Sequence, residues 1–488
     1  MRQSPPHKQA RHRHPQSTVR KTDNTATAIP ENSTMKTTAF SLIAIAVASC
    51  SSVWAAPADE PPQWVPLGVY LSWERPAACA RALNVERWND VCRRLDVAAA
   101  NHVDTLWVTN MADADLPQLI RECEKRDIKL VASMSTVEAK IPWRWANNGK
   151  YYEETVPRVV RLAGDSKTLI GWVLSDEPKA EILPRVEQLR TRFRDVDPSR
   201  FCLVVSMWPQ TPLVPTQTNL PVVCVDLYPF FGPNDPNGPH TDAASRAFFR
   251  KNARRMVEAI GEKEAVPWIM GMCFSDIWGP RKYDSRWHLV GLPGSYLHWR
   301  CPSLAEMRWQ VWETLRSRCR GIFIYTLAPE APDPATESHP PPDVAWKHVL
   351  AKNITDLGPN ALTNPDCSPT PQLVELGRIY GLIAPQKDLI RRWRATAAPI
   401  ASVTAPGQIQ CFIDPADGRR YALVVNDDLH QSQVVQVRLE GDAGDLVDIL
   451  RKQRIGSANG AGSGNGLKTI RLNAGDGAIF QIIAKVGP

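Results

Sequence analysis

Residues 169–178 read Leu169-Ile170-Gly171-Trp172-Val173-Leu174-Ser175-Asp176-Glu177-Pro178. The run from Leu169 to Leu174 is apolar almost without a break, as expected of a parallel strand covered on both faces. Pro178 cannot continue a hydrogen-bonded ladder, so the strand is expected to stop where the carboxylates begin. In a parallel α/β barrel the active site sits at the C-terminal ends of the strands, which makes Asp176 and Glu177 candidates for chemistry. The competing reading is local: Asp176 caps the next helix, with Pro178 in its first turn.

Outward from this stretch, strand-like and helical patterns alternate eight times from about residue 62. Candidate strands fall at 65–72, 105–110, 129–133, 169–174, 202–207, 222–227, 268–274 and 321–327, and helical patterns at 85–99, 116–126, 182–196, 246–260 and 304–318. This is the pattern of a (β/α)8 TIM barrel over residues 62–395, with several long βα loops. The alternative is an open doubly wound sheet, but no glycine-rich phosphate fingerprint follows the first strand. A Pro-rich charged stretch at 331–343 and a helical segment ending near Arg394 come next. Residues 400–486 then alternate apolar and polar, with a Gly/Ser/Asn turn at 457–466, and read as a separately folded antiparallel β-sandwich in an accessory role.

Before the barrel, residues 1–34 are rich in Arg, His, Lys, Pro and Ser, lack an apolar period, and are expected to be disordered. Residues 35–56 have the layout of a secretory signal: Lys36, an apolar core at 40–48, and Val53-Trp54-Ala55 for cleavage after Ala55. Met35 is therefore a second candidate start. Val47-Ala48-Ser49-Cys50 resembles a lipobox, which would lipidate Cys50. The apolar run is too short for a membrane span, so the expectation is a secreted or periplasmic protein, or a lipoprotein. Much of the excess behind the net charge of +7 lies in this leader, and no nucleic-acid partner is expected. The 11 cysteines show no CxxC pair and no zinc spacing, so neither a metal nor a cofactor is expected. Cys202, Cys224 and Cys273 sit in apolar runs as small buried hydrophobes. Export permits disulfides among the others, in pairings that sequence does not specify.

Just past the candidate strands stand Trp73 and Glu74, Asn110, Ser135 and Glu138, Asp176 and Glu177, Trp208, Asp226 and Tyr228, Asp276 and Trp278, then Tyr325 and Glu330. Converging on one cleft, these carboxylates, amides and aromatics suit a polyhydroxylated neutral substrate. Two long loops, 141–152 and 278–302, are rich in aromatics, and many of the 17 tryptophans fall near such places: Trp73, Trp143, Trp145, Trp208, Trp278, Trp287 and Trp299. An indole can stack on the C–H face of a pyranose or simply fill a core, and sequence leaves both open for each. Glycoside hydrolysis needs two carboxyl groups, one protonated and one ionised. Adjacent Asp176 and Glu177 point to different sides and do not make that pair alone. A burial-raised pKa would suit Glu177 as the acid.

The strand-end motifs GWVLSDEP (171–178), VDLYPF (225–230), WIMGMCF (268–274) and GIFIYTL (321–327), followed by a sandwich, resemble the clan of (β/α)8-barrel retaining glycoside hydrolases, especially the family 42 β-galactosidase-like branch. The resemblance implies Glu177 as acid/base at strand 4, with Asp176 where Asn is usual, and a nucleophilic Glu ending strand 7. That Glu is missing: after Phe274 the nearest carboxylate is Asp276. Either Asp276 acts from a shifted position, or Glu330 substitutes, or the double-displacement machinery is absent. An inverting mechanism would tolerate the shift, since its carboxyls sit roughly 6.5–9.5 Å apart, against about 5–5.5 Å for retention. The expected function is thus an exported glycoside hydrolase with Glu177 and either Asp276 or Glu330 as catalytic carboxylates. Asp176, Trp73, Asn110, Trp208, Asp226, Tyr228, Trp278 and Tyr325 would bind substrate or orient it, though Asp226 also fits a purely structural bond to a neighbouring strand. The alternatives are a non-catalytic carbohydrate-binding barrel and a surface scaffold whose sandwich binds a partner.

Overall fold

The computed structural model describes residues 62–133, 149–233, 235, 238–279, 281–283, 289–291, 295–330, 360–396, 400–440, 443–455 and 467–484. The leader with Cys50, Ser135, Glu138, Trp143, Trp145, Trp287, the stretch 331–343 and the turn 457–466 lie outside the described residues. Eight parallel strands form a closed barrel: β1 (Leu67–Ser72), β2 (Thr105–Thr109), β3 (Lys129–Ser133), β4 (Leu169–Asp176), β5 (Phe201–Met207), β6 (Val222–Asp226), β7 (Val266–Met272) and β8 (Ile322–Tyr325). Each strand pairs with its neighbours in sequence, and β8 closes on β1 through Leu67 opposite Ile322. The expected barrel is the observed one, and the open sheet is excluded.

Alternation along the strands sends one set of side chains inward and the other toward the helices. Inside lie Tyr70, Trp107, Val131, Val173, Phe201, Leu203, Trp268, Met270 and Phe323. Space for these large rings comes from missing side chains: a Cβ on Gly171 would lie 2.6 Å from the Phe201 ring, and one on Gly321 2.2 Å from Trp268. The outer layer packs on α1 (Glu74–Leu83), α2 (Arg87–Ala100), α3 (Leu116–Glu124), α4 (Gly149–Ala163), α5 (Leu183–Val196), α6 (Asp242–Ile260), α7 (Leu304–Arg316) and α8 (Pro371–Ile383). α1 was not anticipated. Its apolar positions are mostly alanines, a weak periodic signal, and Asn84 ends it in the left-handed region at φ 53°.

Two local expectations are corrected. β4 continues through Asp176, because a bulge between Val173 and Ser175 shifts its register and lets Asp176 pair with Val205. Backbone pairing is indifferent to a charge that projects into a cleft, so the strand runs through the first carboxylate and ends just before Glu177. The 278–302 segment is not irregular throughout: Asp276–Trp278 pairs antiparallel with Tyr296–Trp299, and Arg281–Tyr283 with Leu289–Gly291.

The C-terminal strands form two antiparallel sheets. One runs in the order Arg394–Ala395, Gly407–Ile413, Arg420–Asn426, Gly477–Ala484, Ala443–Asp448, Gln453–Ile455; the other in the order Ala401–Val403, Gln433–Leu439, Leu467–Leu472. Between them Ala422, Val424, Val435, Val437, Ile470 and Phe480 make a small core. This sandwich is not folded apart from the barrel, as the sequence suggested. The opposite face of its larger sheet, through Phe412, Tyr421, Leu423, Val425 and Ile479, belongs to the barrel's own apolar core. The seam is polar at its centre. Asp427 takes both arms of Arg250 (2.5 and 3.0 Å) and the indole N–H of Trp309 (3.0 Å), and Asp476 takes that of Trp312 (2.9 Å). Removing Asp427 leaves the Trp309 indole N–H without its acceptor and takes one of two carboxylates from Arg250, which keeps Glu313 at 3.1 Å, so Asp427→Ala is expected to cost about 1–3 kcal/mol. Urea denaturation checks this, and a change below about 0.5 kcal/mol would mean the seam does not hold the two parts together.

Candidate functional site

The C-terminal ends of β4, β6, β7 and β8 surround a cleft of about 550 Å³. Three carboxylates converge in it from two strands. Asp176 ends β4, and Glu177 follows in the left-handed region at φ 45°, its amide still donating to the Val205 carbonyl at 2.9 Å. A non-glycine residue held there is locally strained, and the observed hydrogen bond fixes its direction. Asp226 ends β6, is only 8% exposed, and its protonated form donates toward the Glu177 carboxylate. Its Oδ1 is buried and has no hydrogen-bond partner.

Burial is the main force on these groups. It pushes the Asp226 carboxyl well above the usual carboxylate range, helped by the hydrogen bond and charge of Glu177 and by the charge of Asp176. Asp176 opens onto the cleft yet is crowded by its walls, and burial together with the Glu177 charge pushes it up to about 7. A buried carboxyl facing a second one is favoured in its protonated form, which is the direction of the shift at Asp226.

The second set of carboxylates is held by arginines. Asp276 accepts from Arg281 at 3.2 Å and from the Trp278 indole at 2.9 Å. Burial pushes its carboxyl up while Arg281 pulls it down. Glu330 accepts from Arg75 at 3.0 Å and lies 3.9 Å from Arg281. Arg75, in the first turn of α1, also donates to the Tyr325 hydroxyl at 2.8 Å and to the Ala328 carbonyl at 3.2 Å. Arg281 thus links the two carboxylates beyond β7 and β8. The aromatic wall beside them is continuous: Tyr228 packs edge-on against Phe274 (5.2 Å between centroids) and Trp299 (5.5 Å), and Tyr325 lies 4.7 Å from Tyr70. Trp278 stands 39% exposed at the rim, with the His298 ring at 3.8 Å and those of Tyr296 and Trp299 at 6.2 Å.

Of the residues singled out by sequence, Asp176, Glu177, Asp226, Tyr228, Asp276, Trp278, Tyr325 and Glu330 line this one cleft. Trp73, Asn110 and Trp208 do not. Trp73 is buried behind the wall, donates to Asp115 at 2.9 Å and packs on Trp88. Asn110 donates to Ser72 and Glu74 at the neighbouring strand ends, and Trp208 packs on Phe248. Sequence reasoning missed Arg75, Arg281, Tyr70 and Asn360, which also line the cleft. Arg75 stands one residue beyond Glu74, and the strand-end rule reached it without selecting it. Among the described residues no group of three or more His, Cys, Asp or Glu is arranged to hold a metal ion, and no helix is long and apolar enough to cross a membrane.

The raised Asp176 carboxyl carries a consequence for stability. The folded chain keeps this proton up to about pH 7, while the unfolded chain loses it near the ordinary value of 3.8. The contribution is therefore complete below pH 3.8 and disappears as pH rises through about 7. Asp176→Asn is expected to melt ~2 °C or more above the parent at pH 8 and with it at low pH. Melting curves across this range check it, and a variant less stable at pH 8 would show that the charged form of Asp176 is favoured.

No protein-family model matches the chain, and no curated protein sequence matches it. Among solved structures it is similar to the beta-glucuronidase of Faecalibacterium prausnitzii, with TM-score 0.41 and 12% identity over 66% of this chain and 49% of that one, so that it spans about half of that protein's length. It is similar to an Anoxybacillus alpha-amylase with TM-score 0.41 and 12% identity, covering 82% of this chain and 91% of that one. For a maltogenic alpha-amylase of Thermotoga neapolitana the figures are TM-score 0.44 and 9% identity, covering 82% and 95%.

Proposed function

We propose that this protein hydrolyses O-glycosidic bonds of a neutral, polyhydroxylated carbohydrate, with Glu177 as general acid/base. The observation that carries the reading is the cluster of Asp176, Glu177 and Asp226, in which a buried, unpartnered Asp226 oxygen lies beside Glu177. A carboxyl held protonated at neutral pH in a solvent-reached cleft is what protonation of a leaving-group oxygen requires. Asp226 acts through Glu177, keeping the proton available and receiving charge as it leaves. Asp276, whose ionised form Arg281 favours, is the second carboxylate, as nucleophile or as base for water; Glu330 is its competitor. Among the described residues the two cations lining the cleft, Arg75 and Arg281, are already paired with carboxylates, which argues against an acidic sugar. Trp278 offers an indole face to a pyranose at the rim. The family 42 β-galactosidase-like reading rests on the strand-end motifs alone.

One observation favours a second reading, a carbohydrate-binding barrel without catalysis. Arg281 bridges Asp276 and Glu330, and such pairing is also how a cleft with no nucleophile would neutralise its acids. Reducing-end release from a broad panel of plant, algal and bacterial glycans separates the two. Release from at least one neutral glycan is expected; glycan binding without release would move the conclusion to the second reading. We infer export from the leader at residues 35–56. The N-terminus of the cell-envelope or secreted form is expected at Ala56, or at a lipidated Cys50, and an uncleaved cytoplasmic product would overturn this.

A further inference from the structure

A second cleft, of about 930 Å³, lies at the opposite end of the barrel, where the starts of β7 and β8 meet the first strand of the sandwich. Five arginines line it: Arg318, Arg320, Arg391, Arg392 and Arg394. Only Arg392 is matched, by Asp414 at 2.7 Å. Arg320 donates from its two terminal nitrogens to the main-chain carbonyls of Arg391 (2.6 Å) and Trp393, which engages both arms without cancelling its charge. Arg391 gives one arm to the Gln63 amide at 3.1 Å, and its Nε is buried with no partner. Among the described residues, Arg318, Arg320, Arg391 and Arg394 have no carboxylate at ion-pair distance. Lys263 also lines the cleft but gives its ammonium to the Pro215 carbonyl, and Glu262 and Glu264 stand exposed at its lip. Trp393, stacked on Phe412 at 4.5 Å, backs the wall.

Concentrated like charge beside a cavity is unfavourable in the empty state. Burial, then the charges of Arg394 and Arg391, push the Arg320 guanidinium down to about 10, against the direction that pairing drives the arginines of the seam. Guanidinium forks match tetrahedral oxyanions two bonds at a time, and they bind most strongly where water is partly excluded. We propose that this cleft binds a sulfate- or phosphate-type oxyanion, held between Arg391 and Arg394 beside the charge of Arg320, either as the free ion or as an ester on a glycan. The site is separate from the carboxylate cleft and does not depend on the function proposed for it.

The test is calorimetric titration and thermal melting of the full chain with sodium sulfate and sodium phosphate, against sodium chloride at equal ionic strength. Parallel arms use a sulfated and a phosphorylated oligosaccharide beside their uncharged parents. Binding is expected, with melting raised above the chloride control. Arg320 ties down the main chain, so its variants can fail to fold; Arg391→Gln with Arg394→Gln is the informative change. This double variant is expected to lose at least tenfold in affinity while melting in chloride at or above the parent temperature, because repulsion is relieved. Tighter binding of the esters than of the free ions identifies a glycan-borne group, and the reverse order a free ion. No effect beyond chloride, an affinity unchanged in the double variant, or a double variant that melts lower in chloride would each overturn the proposal.

Discussion

Glu177→Gln is expected to lower glycan turnover by about 10³-fold while leaving affinity for the same glycan within about twofold. The amide keeps the shape and polarity of the side chain at its left-handed position and retains an acceptor toward Asp226, so the cleft should survive. What it loses is the transferable proton. Stopped assays with a substrate whose leaving group needs little protonation sharpen the reading: there the loss should shrink by at least about tenfold, because the acid is no longer needed for departure. A variant that binds poorly and loses both substrates equally would show Glu177 to be structural. A variant that retains turnover would remove it from the acid's role.

Asp226→Asn is expected to be the second most damaging change, lowering turnover by about 10²-fold and moving the alkaline limb of the pH–rate profile toward acid. The sign follows from the cluster. In the parent, burial, then the hydrogen bond and charge of Glu177 and the charge of Asp176, raise Asp226, which keeps a proton beside the proposed acid. An amide at position 226 removes that titrating proton, so the alkaline limb it sets moves toward acid and activity falls earlier. Loss of activity without movement of the limb would mean that Asp226 only holds the strand end. Asp226 touches the acid rather than the sugar in this scheme, and the pH profile, not the size of the loss, distinguishes its role.

The barrel was legible because its strands are buried on both faces: runs such as Leu169–Leu174 and Val222–Val225 have no reason to be so uniformly apolar elsewhere. The strand-end rule then located eight of the cleft's residues from chain position alone. It failed where the chain turns away immediately after a strand. Trp73 leads into α1 and is carried behind the wall, where Asp115 and Trp88 hold it. Asn110 leaves β2 at φ 58° and turns to Ser72 and Glu74 rather than to the carboxylates. A strand end fixes where the backbone is, not where the next side chain points.

The arginines were illegible for a different reason. Arg75 and Glu330 are 255 residues apart and meet only once β8 has closed on β1. Arg281 reaches Asp276 because a hairpin folds back over the cleft, a feature hidden in what reads as an irregular aromatic loop. The seam with the sandwich escaped for the same cause: Asp427 and Asp476 stand in turns, where Asp needs no other explanation, and their arginine and tryptophan partners come from α6 and α7. Non-local polar pairs leave no periodic signal. Sequence patterning reports burial, and these residues are defined by what they meet.

A proton retained at neutral pH by the Asp176, Glu177 and Asp226 cluster is the physical basis of the proposed chemistry, and infrared difference titration across neutral pH reads it most directly. The expected spectrum keeps the carbonyl stretch of a protonated carboxylic acid above about pH 7 in the parent, and loses it at that pH in Asp226→Asn. If every carboxyl of the parent has ionised by about pH 5, no acid is held in the cleft and the proposed role of Glu177 is contradicted.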